Sequence, residues 1–94
     1  MVRNEYMKYA MIDGAAISSM ADIHRTLAEQ LAFPDWYGGN LDALHDCLTE
    51  LTEETVIALI HADDLLESLG TAYTRLCRVL ADSAEENPYL QIQS

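Results

Sequence analysis

Residues 36–48 read WYGGNLDALHDCL, and this stretch predicts a loop that leads into a short helix with two different faces. Pro34 and the pair Gly38 and Gly39 break regular structure, so we expect the loop there. Asn40 stands where an N-cap belongs, because its amide oxygen can accept a hydrogen bond from a backbone N–H of the first turn. The leucines that follow recur at helical spacing and predict a buried stripe: Leu41, Leu44, Leu48 and Leu51.

A polar face lies next to this stripe, offset from it by one residue: Asp42, His45, Asp46 and Thr49. Two carboxylates and an imidazole within one turn are able to bind a metal ion or to act as acid and base, but they are also able to contact a partner or to face solvent. His24 and His61 could add metal ligands, although a surface or hydrogen-bonded histidine is the simpler interpretation of each. The chain contains no His-Glu-x-x-His, no Gly-rich phosphate loop and no Gly-x-Ser-x-Gly, so spacing alone favours a solvated face.

Two aromatic residues, Trp36 and Tyr37, precede the glycines of the loop. Aromatic side chains beside Pro and Gly either anchor a loop onto the core or serve as exposed contacts for a partner. We expect one of each: Tyr37, which is nearer to the helix start, packs inward, and Trp36 is more exposed.

The charge balance is strongly acidic. Five Lys and Arg residues stand against sixteen Asp and Glu residues, which gives a formal net charge of −11 over 94 residues. Such a field repels nucleic acid and anionic membranes and attracts basic partners. We therefore expect no nucleic-acid ligand and no membrane surface. A basic partner would fit this charge, but solubility alone is the simpler interpretation of it.

The composition is that of a folded protein, because half of the residues are hydrophobic. The length predicts one domain over residues 1–94. No stretch is apolar enough for a signal peptide or a membrane span, so we expect a cytoplasmic protein. Cys47 and Cys77 lie beside apolar helix positions and are expected to be buried, reduced thiols, although a pair of cysteines leaves a single disulfide open.

Periodicity and turn signals divide the chain into seven segments in the order β-α-α-β-α-α-β. The predicted strands cover residues 6–12, 55–61 and 89–93, and the predicted helices cover residues 20–32, 41–51, 62–69 and 72–86. Ser19 and Thr71 are the expected N-caps of the first and last helices. Helical crossovers imply parallel strands, so we predict an α/β fold with a small three-stranded parallel sheet, order 1-2-3, packed with about four helices. The helices would cover one face, which conflicts with the uninterrupted apolar run of the second strand.

Residues 37–48 closely resemble the signature of the barstar family, whose members are intracellular inhibitors of ribonucleases such as barnase. The likeness extends to residues 10–14, which resemble the family's first strand and turn, and to residues 22–34, which resemble its first helix. It covers the chain from about residue 9 onward and leaves residues 1–8 as an N-terminal extension, with a poorer match over residues 50–74. The resemblance implies a parallel three-stranded sheet packed with helices, in agreement with the segment order.

The resemblance also implies a role for each residue of a partner-binding face. Asp46 corresponds to the principal carboxylate, which enters the phosphate-binding pocket of the ribonuclease. Asp42 and Thr49 match further interface residues, while Trp36 replaces a tyrosine and His45 replaces a tryptophan. Two acidic residues on the last long helix complete the set: Asp82 and Glu86.

The resemblance therefore implies a non-enzymatic inhibitor that binds a basic ribonuclease one-to-one and needs no cofactor or metal. Two alternatives stay open. One is a binding module of the same fold that recognises a different basic protein. The other is a metal-binding or hydrolytic protein that uses Asp42, His45 and Asp46. With His45 at the interface, binding is expected to depend on pH near neutrality.

Overall fold

The computed structural model describes residues 8–94, which form four helices and three strands. In chain order these are β1 (Lys8–Asp13), α1 (Met20–Gln30), α2 (Leu41–Thr49), β2 (Thr55–Ile60), α3 (Ala62–Leu69), α4 (Thr71–Glu86) and β3 (Leu90–Gln93). This order confirms the predicted α/β fold. The first two residues of the predicted first strand, Tyr6 and Met7, and most of the predicted N-terminal extension lie outside the described residues. No helix within residues 8–94 is long and apolar enough to cross a membrane.

The three strands are parallel and lie in the order β1-β2-β3, as predicted. One face of the sheet packs against the helices. It contributes five side chains to the hydrophobic core: Ala10, Ile12, Ile57, Leu59 and Leu90.

The opposite face explains why β2 is apolar throughout. Val56 and Ala58 point away from the core cluster but are 95% buried, each being 5% exposed. Their partners in the neighbouring strand β1 are Tyr9 and Met11, which are 50% and 41% exposed. Small side chains in a central strand are thus shielded by larger neighbours on the edge strand, so β2 needs no second layer of helices to be buried.

The free edge of β1 is covered by the end of α1. The backbone N–H of Met11 donates to Oε1 of Gln30 at 2.8 Å, and Nε2 of Gln30 lies 3.4 Å from the Met11 carbonyl oxygen. This side-chain amide replaces a neighbouring strand and blocks edge-to-edge pairing. It also fixes the point from which the chain leaves α1 toward the loop that precedes α2.

Three helix ends in the structure differ from the predicted ones. The first helix ends at Gln30 because Ala32 adopts a positive φ of 55°. The central helix ends at Thr49, with Glu50 as its C-cap, two residues before the predicted end. Thr71 does not cap α4: it is the first helical residue, and Gly70 at the N-cap position offers no side chain for a cap.

Three strand ends also differ from the prediction. β1 runs one residue further than predicted, to Asp13. β2 ends at Ile60, because His61 adopts a left-handed φ of 54° and is the N-cap residue of α3. β3 begins at Leu90, one residue later than predicted, and its burial alternates as the sequence suggested. The Ser19 cap is confirmed, since Oγ of Ser19 accepts from the backbone N–H of Asp22 at 3.2 Å.

Candidate partner-binding face

The start of α2 is fixed by the residue that the sequence assigned to it. Oδ1 of Asn40 accepts a hydrogen bond from the backbone N–H of Ala43 at 2.8 Å. Gly39 has a φ of +67°, a conformation that disfavours residues with a Cβ atom. Leu44 and Leu48 are fully buried beneath the helix. The outward face of α2 therefore stands on a capped and packed support.

The loop before α2 is anchored by Tyr37, which packs inward as predicted. Its hydroxyl pairs with Nδ1 of His24, and its ring lies 4.9 Å from that of Phe33 between centroids. Burial raises the pKa of Tyr37 to about 12, with the Cys47 thiol adding to the shift. Trp36 points the other way and is 66% exposed, which confirms the expected division between the two aromatic residues.

His24 is a structural residue whose contact the spacing did not reveal. It lies on α1 and is only 8% exposed. Burial lowers the pKa of His24, which favours the neutral ring that pairs with the Tyr37 hydroxyl. The signal available in the sequence was weak, because the two residues are 13 positions apart in different segments.

The outward face of α2 carries the carboxylates named from the sequence. Asp42 and Asp46 are both exposed, and the Asp46 side chain is 71% exposed. Thr49 is half-buried, and its hydroxyl donates to the carbonyl oxygen of His45 at 2.9 Å. Since that hydroxyl proton is held by the helix itself, the oxygen of Thr49 is left to accept a hydrogen bond from a partner.

His45 connects this face to α4. Its Nε2 lies 2.9 Å from Oε2 of Glu86, and its Nδ1 lies 3.9 Å from Oδ1 of Asp46. The hydrogen bond to Glu86 raises the pKa of His45, partial burial opposes the shift, and the charges of Glu86, Asp46 and Asp82 add to it. The imidazole therefore sits among three carboxylates from two helices, as a cation within an acidic surface when it is protonated.

A buried asparagine fixes the other end of α2. Nδ2 of Asn87 donates to the carbonyl oxygens of Leu48 at 2.8 Å and Leu51 at 3.0 Å. Its Oδ1 accepts from the backbone N–H of Tyr89 at 3.0 Å. Asn87 is not among the interface residues named from the sequence. In the structure it ties the C-terminal ends of α2 and α4 together and so orients the two helices that carry the acidic residues.

Six of the seven predicted interface residues lie on two neighbouring helices, and one lies apart from them. Four lie along α2, and Asp82 and Glu86 lie on the neighbouring α4, close enough to act on the pKa of His45. We call these six residues the acidic face. Trp36 stands apart: within residues 8–94 no hydrogen bond or ring contact joins it to the other six, and it lines a pocket beside the end of α2.

The other two histidines and the two cysteines do not gather around the acidic face. His24 pairs with Tyr37, and Nδ1 of His61 lies 2.7 Å from Oδ1 of Asp13 at the ends of β1 and β2. In the part of the chain that the structure describes, no group of three or more His, Cys, Asp or Glu residues is placed to hold a metal ion. Both cysteines are free thiols; Cys47 is buried, as expected, whereas Cys77 is only half-buried.

Comparison with known proteins identifies the family. The sequence profile described as Barstar (barnase inhibitor) matches residues 7–92. A protein of Bacillus subtilis (strain 168) named "Putative ribonuclease inhibitor YrdF" is 34% identical over 82 residues, which cover 74% of this chain and 90% of that protein. The small parallel sheet and the acidic helical face thus occur in a chain whose sequence matches this family over most of its length. The chain belongs to the barstar family, as its central motif indicated.

Proposed function

We propose that this protein inhibits a basic ribonuclease by binding it one-to-one and covering its active site with the acidic face. The observation that carries the proposal is the exposed Asp46 carboxylate on α2, a helix fixed at one end by Asn40 and at the other by Asn87. Membership of the barstar family and the similarity to a named ribonuclease inhibitor support it. A cytoplasmic location, as expected from the sequence, belongs to the same proposal.

The chemistry of the partner explains why a carboxylate suits this role. A ribonuclease binds a polyanion, so its active site presents Arg, Lys and His side chains to the phosphate groups. A carboxylate placed among these cations mimics a phosphate and forms charge-assisted hydrogen bonds with them. Asp46 takes the position of this phosphate mimic, and Asp42 contacts a second cation beside it.

The remaining residues of the face adjust these contacts. The oxygen of Thr49 accepts a hydrogen bond from a partner cation, since its own proton is used within α2. Asp82 and Glu86 extend the negative surface onto α4. The inhibitor performs no chemical step; it needs only carboxylates held in place before binding, which reduces the entropy lost on association.

Inhibition assays test the proposal directly. RNA cleavage by a panel of small microbial ribonucleases, barnase-like enzymes included, is measured with and without an equimolar amount of the protein. We expect stoichiometric inhibition of at least one enzyme, and loss of that inhibition in Asp46→Ala. The matched control is Asp64→Ala, which removes an exposed carboxylate from α3 instead. Full inhibition by Asp46→Ala would show that the interface lies elsewhere.

One observation favours a second candidate, a barstar-fold module for a different basic protein. The family's interface tryptophan is replaced by His45, and this histidine is engaged with Glu86. A side chain that is paired within the chain offers a partner a different contact from a free indole. If no ribonuclease in the panel is inhibited, affinity capture that depends on Asp46 and returns one non-nuclease protein would favour this candidate.

A further inference from the structure

Trp36 lines an open pocket beside the acidic face. The pocket has a volume of about 180 Å³ and lies between the loop that follows α1 and the C-terminal end of α2. Its walls include Leu31, Phe33, Pro34, Trp36, Glu50 and Leu51. We call it the Trp36 pocket. It is apolar along its loop side and carries a carboxylate on its helix side, a combination that suits a side chain with an apolar stem and a charged end.

The electrostatics of the pocket favour a cation. Glu50 is exposed and forms the C-cap of α2, so its carboxylate adds to the negative end of the helix dipole. The last turn of α2, which the structure describes in full, has no basic residue to offset this charge. Lys8 also borders the pocket, but its ammonium group is paired with a further carboxylate, since Nζ lies 3.3 Å from Oε1 of Glu53.

The exposed indole of Trp36 adds a second attraction for a cation. The face of a tryptophan ring attracts guanidinium and ammonium groups. A planar guanidinium can stack on the indole and still direct two N–H groups to a carboxylate, which an ammonium group cannot do. Arginine therefore satisfies the ring and the Glu50 carboxylate together, while its methylene stem contacts Phe33 and Leu51.

We propose that the Trp36 pocket receives one arginine side chain from the surface of the ribonuclease that surrounds its active site. This inference rests on the proposed function, and it adds Glu50 to the residues that contact the partner. The pocket adjoins the C-terminal end of the helix that carries four residues of the acidic face, because Glu50 is the C-cap of α2 and directly follows Thr49. The acidic face binds the catalytic cations, and the Trp36 pocket holds a cation outside the active site. It thereby discriminates among ribonucleases whose active sites are alike.

Trp36 is the only tryptophan in the chain, so its fluorescence reports on the pocket. The free protein is titrated with N-acetyl-arginine amide, with its neutral isostere N-acetyl-citrulline amide and with N-acetyl-leucine amide. We expect a saturable change in Trp36 emission with the arginine compound, at a concentration at least fivefold below that needed for either neutral one. Glu50→Gln should remove this preference, whereas Glu67→Gln on α3 should keep it. Equal responses to the three compounds, or no saturation, would overturn the inference.

The complex supplies the second test. With a ribonuclease that the wild-type protein inhibits, we expect Glu50→Gln to raise Kd roughly five- to tenfold, as the loss of one partly shielded charge contact would do. Glu67→Gln should leave Kd unchanged. Equal Kd values for Glu50→Gln and wild type would overturn the pocket inference and leave the proposed function standing. Absence of inhibition by the wild-type protein across the panel would instead overturn the proposed function.

Discussion

His45 Nε2 lies 2.9 Å from Glu86 Oε2, which joins two residues that are 41 positions apart in the chain. The contact links the outward side of α2 to the end of α4, so it connects the two halves of the acidic face. It also gives that face a titratable group, because the hydrogen bond to Glu86 raises the pKa of His45 from its ordinary value. Both binding and stability should therefore change with pH.

Affinity for a basic ribonuclease should increase as the pH rises through the raised pKa of His45, above about 6.5. Loss of the imidazolium proton gives the acidic face one more unit of net negative charge and removes the charge attraction between His45 and Glu86. Kd is measured from about pH 5.5 to about pH 8, a range that spans ordinary His pKa values. The Kd of the His45→Gln variant is measured with the same enzyme over the same pH range. Any pH dependence that comes from the enzyme's own groups is then common to both proteins. Parallel pH profiles for the two proteins would contradict this prediction.

Folding stability should change in the opposite direction. Because the folded-state pKa of His45 is raised, its interaction with Glu86, Asp46 and Asp82 stabilises the protein fully below the unfolded pKa of about 6.5 and is lost as the pH rises through the folded pKa. The urea midpoint of wild type should exceed that of His45→Gln in mildly acidic buffer, and the difference should shrink at alkaline pH. Glu86→Gln should show the same loss of pH dependence. A difference that is constant with pH would contradict the assignment.

Asn87→Ala should destabilise the protein by about 2 kcal/mol, because it removes the buried amide that donates to the carbonyl oxygens of Leu48 and Leu51. Urea unfolding followed by circular dichroism measures the change. Asn87→Asp keeps an acceptor for the backbone N–H of Tyr89 but loses both donated bonds, so it should be at least as unstable as Asn87→Ala. If Asn87→Asp were as stable as wild type, these donated bonds would not be what holds the two helix ends together.

The spacing of residues within single segments was enough to predict the helices and strands and the order of the sheet. The leucine spacing after Asn40 fixed α2, and the β-branched run of residues 55–60 fixed β2, because each signal lies within one segment. The parallel order of the sheet followed from the alternation of segments, since helical crossovers constrain the direction of the strands. The residues on the outward side of α2 could be named for the same reason, because a helix places every third and fourth residue on one face.

Contacts between distant segments could not be predicted in this way. The His45–Glu86 pair and the bonds from Asn87 to Leu48 depend on how α2 and α4 pack, and neither helix sequence specifies its neighbour. The predicted helix ends were wrong for a related reason. Ala32 takes a positive φ that no local rule assigns to alanine, so α1 ends before the predicted point.

Tyr37→Phe should lower the free energy of unfolding by about 1 kcal/mol, because it removes the hydroxyl that pairs with the buried His24. Tyr89→Phe is the matched control, since Tyr89 is 47% exposed. Urea unfolding measures both variants, and the emission of Trp36 shows whether the loop keeps its conformation. Equal stability of the two variants would mean that the Tyr37 ring alone anchors the loop.

The rate of association with a basic ribonuclease should fall by roughly tenfold or more when salt rises from about 0.05 M to about 0.5 M, because the acidic face attracts the enzyme before contact. Stopped-flow measurements under both conditions give this rate. Position should matter more than net charge: Asp42→Asn and Asp64→Asn each remove one negative charge, but only Asp42 lies on the acidic face. At about 0.15 M salt the screening length is about 8 Å, so Asp42→Asn should slow association more than Asp64→Asn. Equal rates for the two variants would show that overall charge, and not the face on α2, directs the encounter.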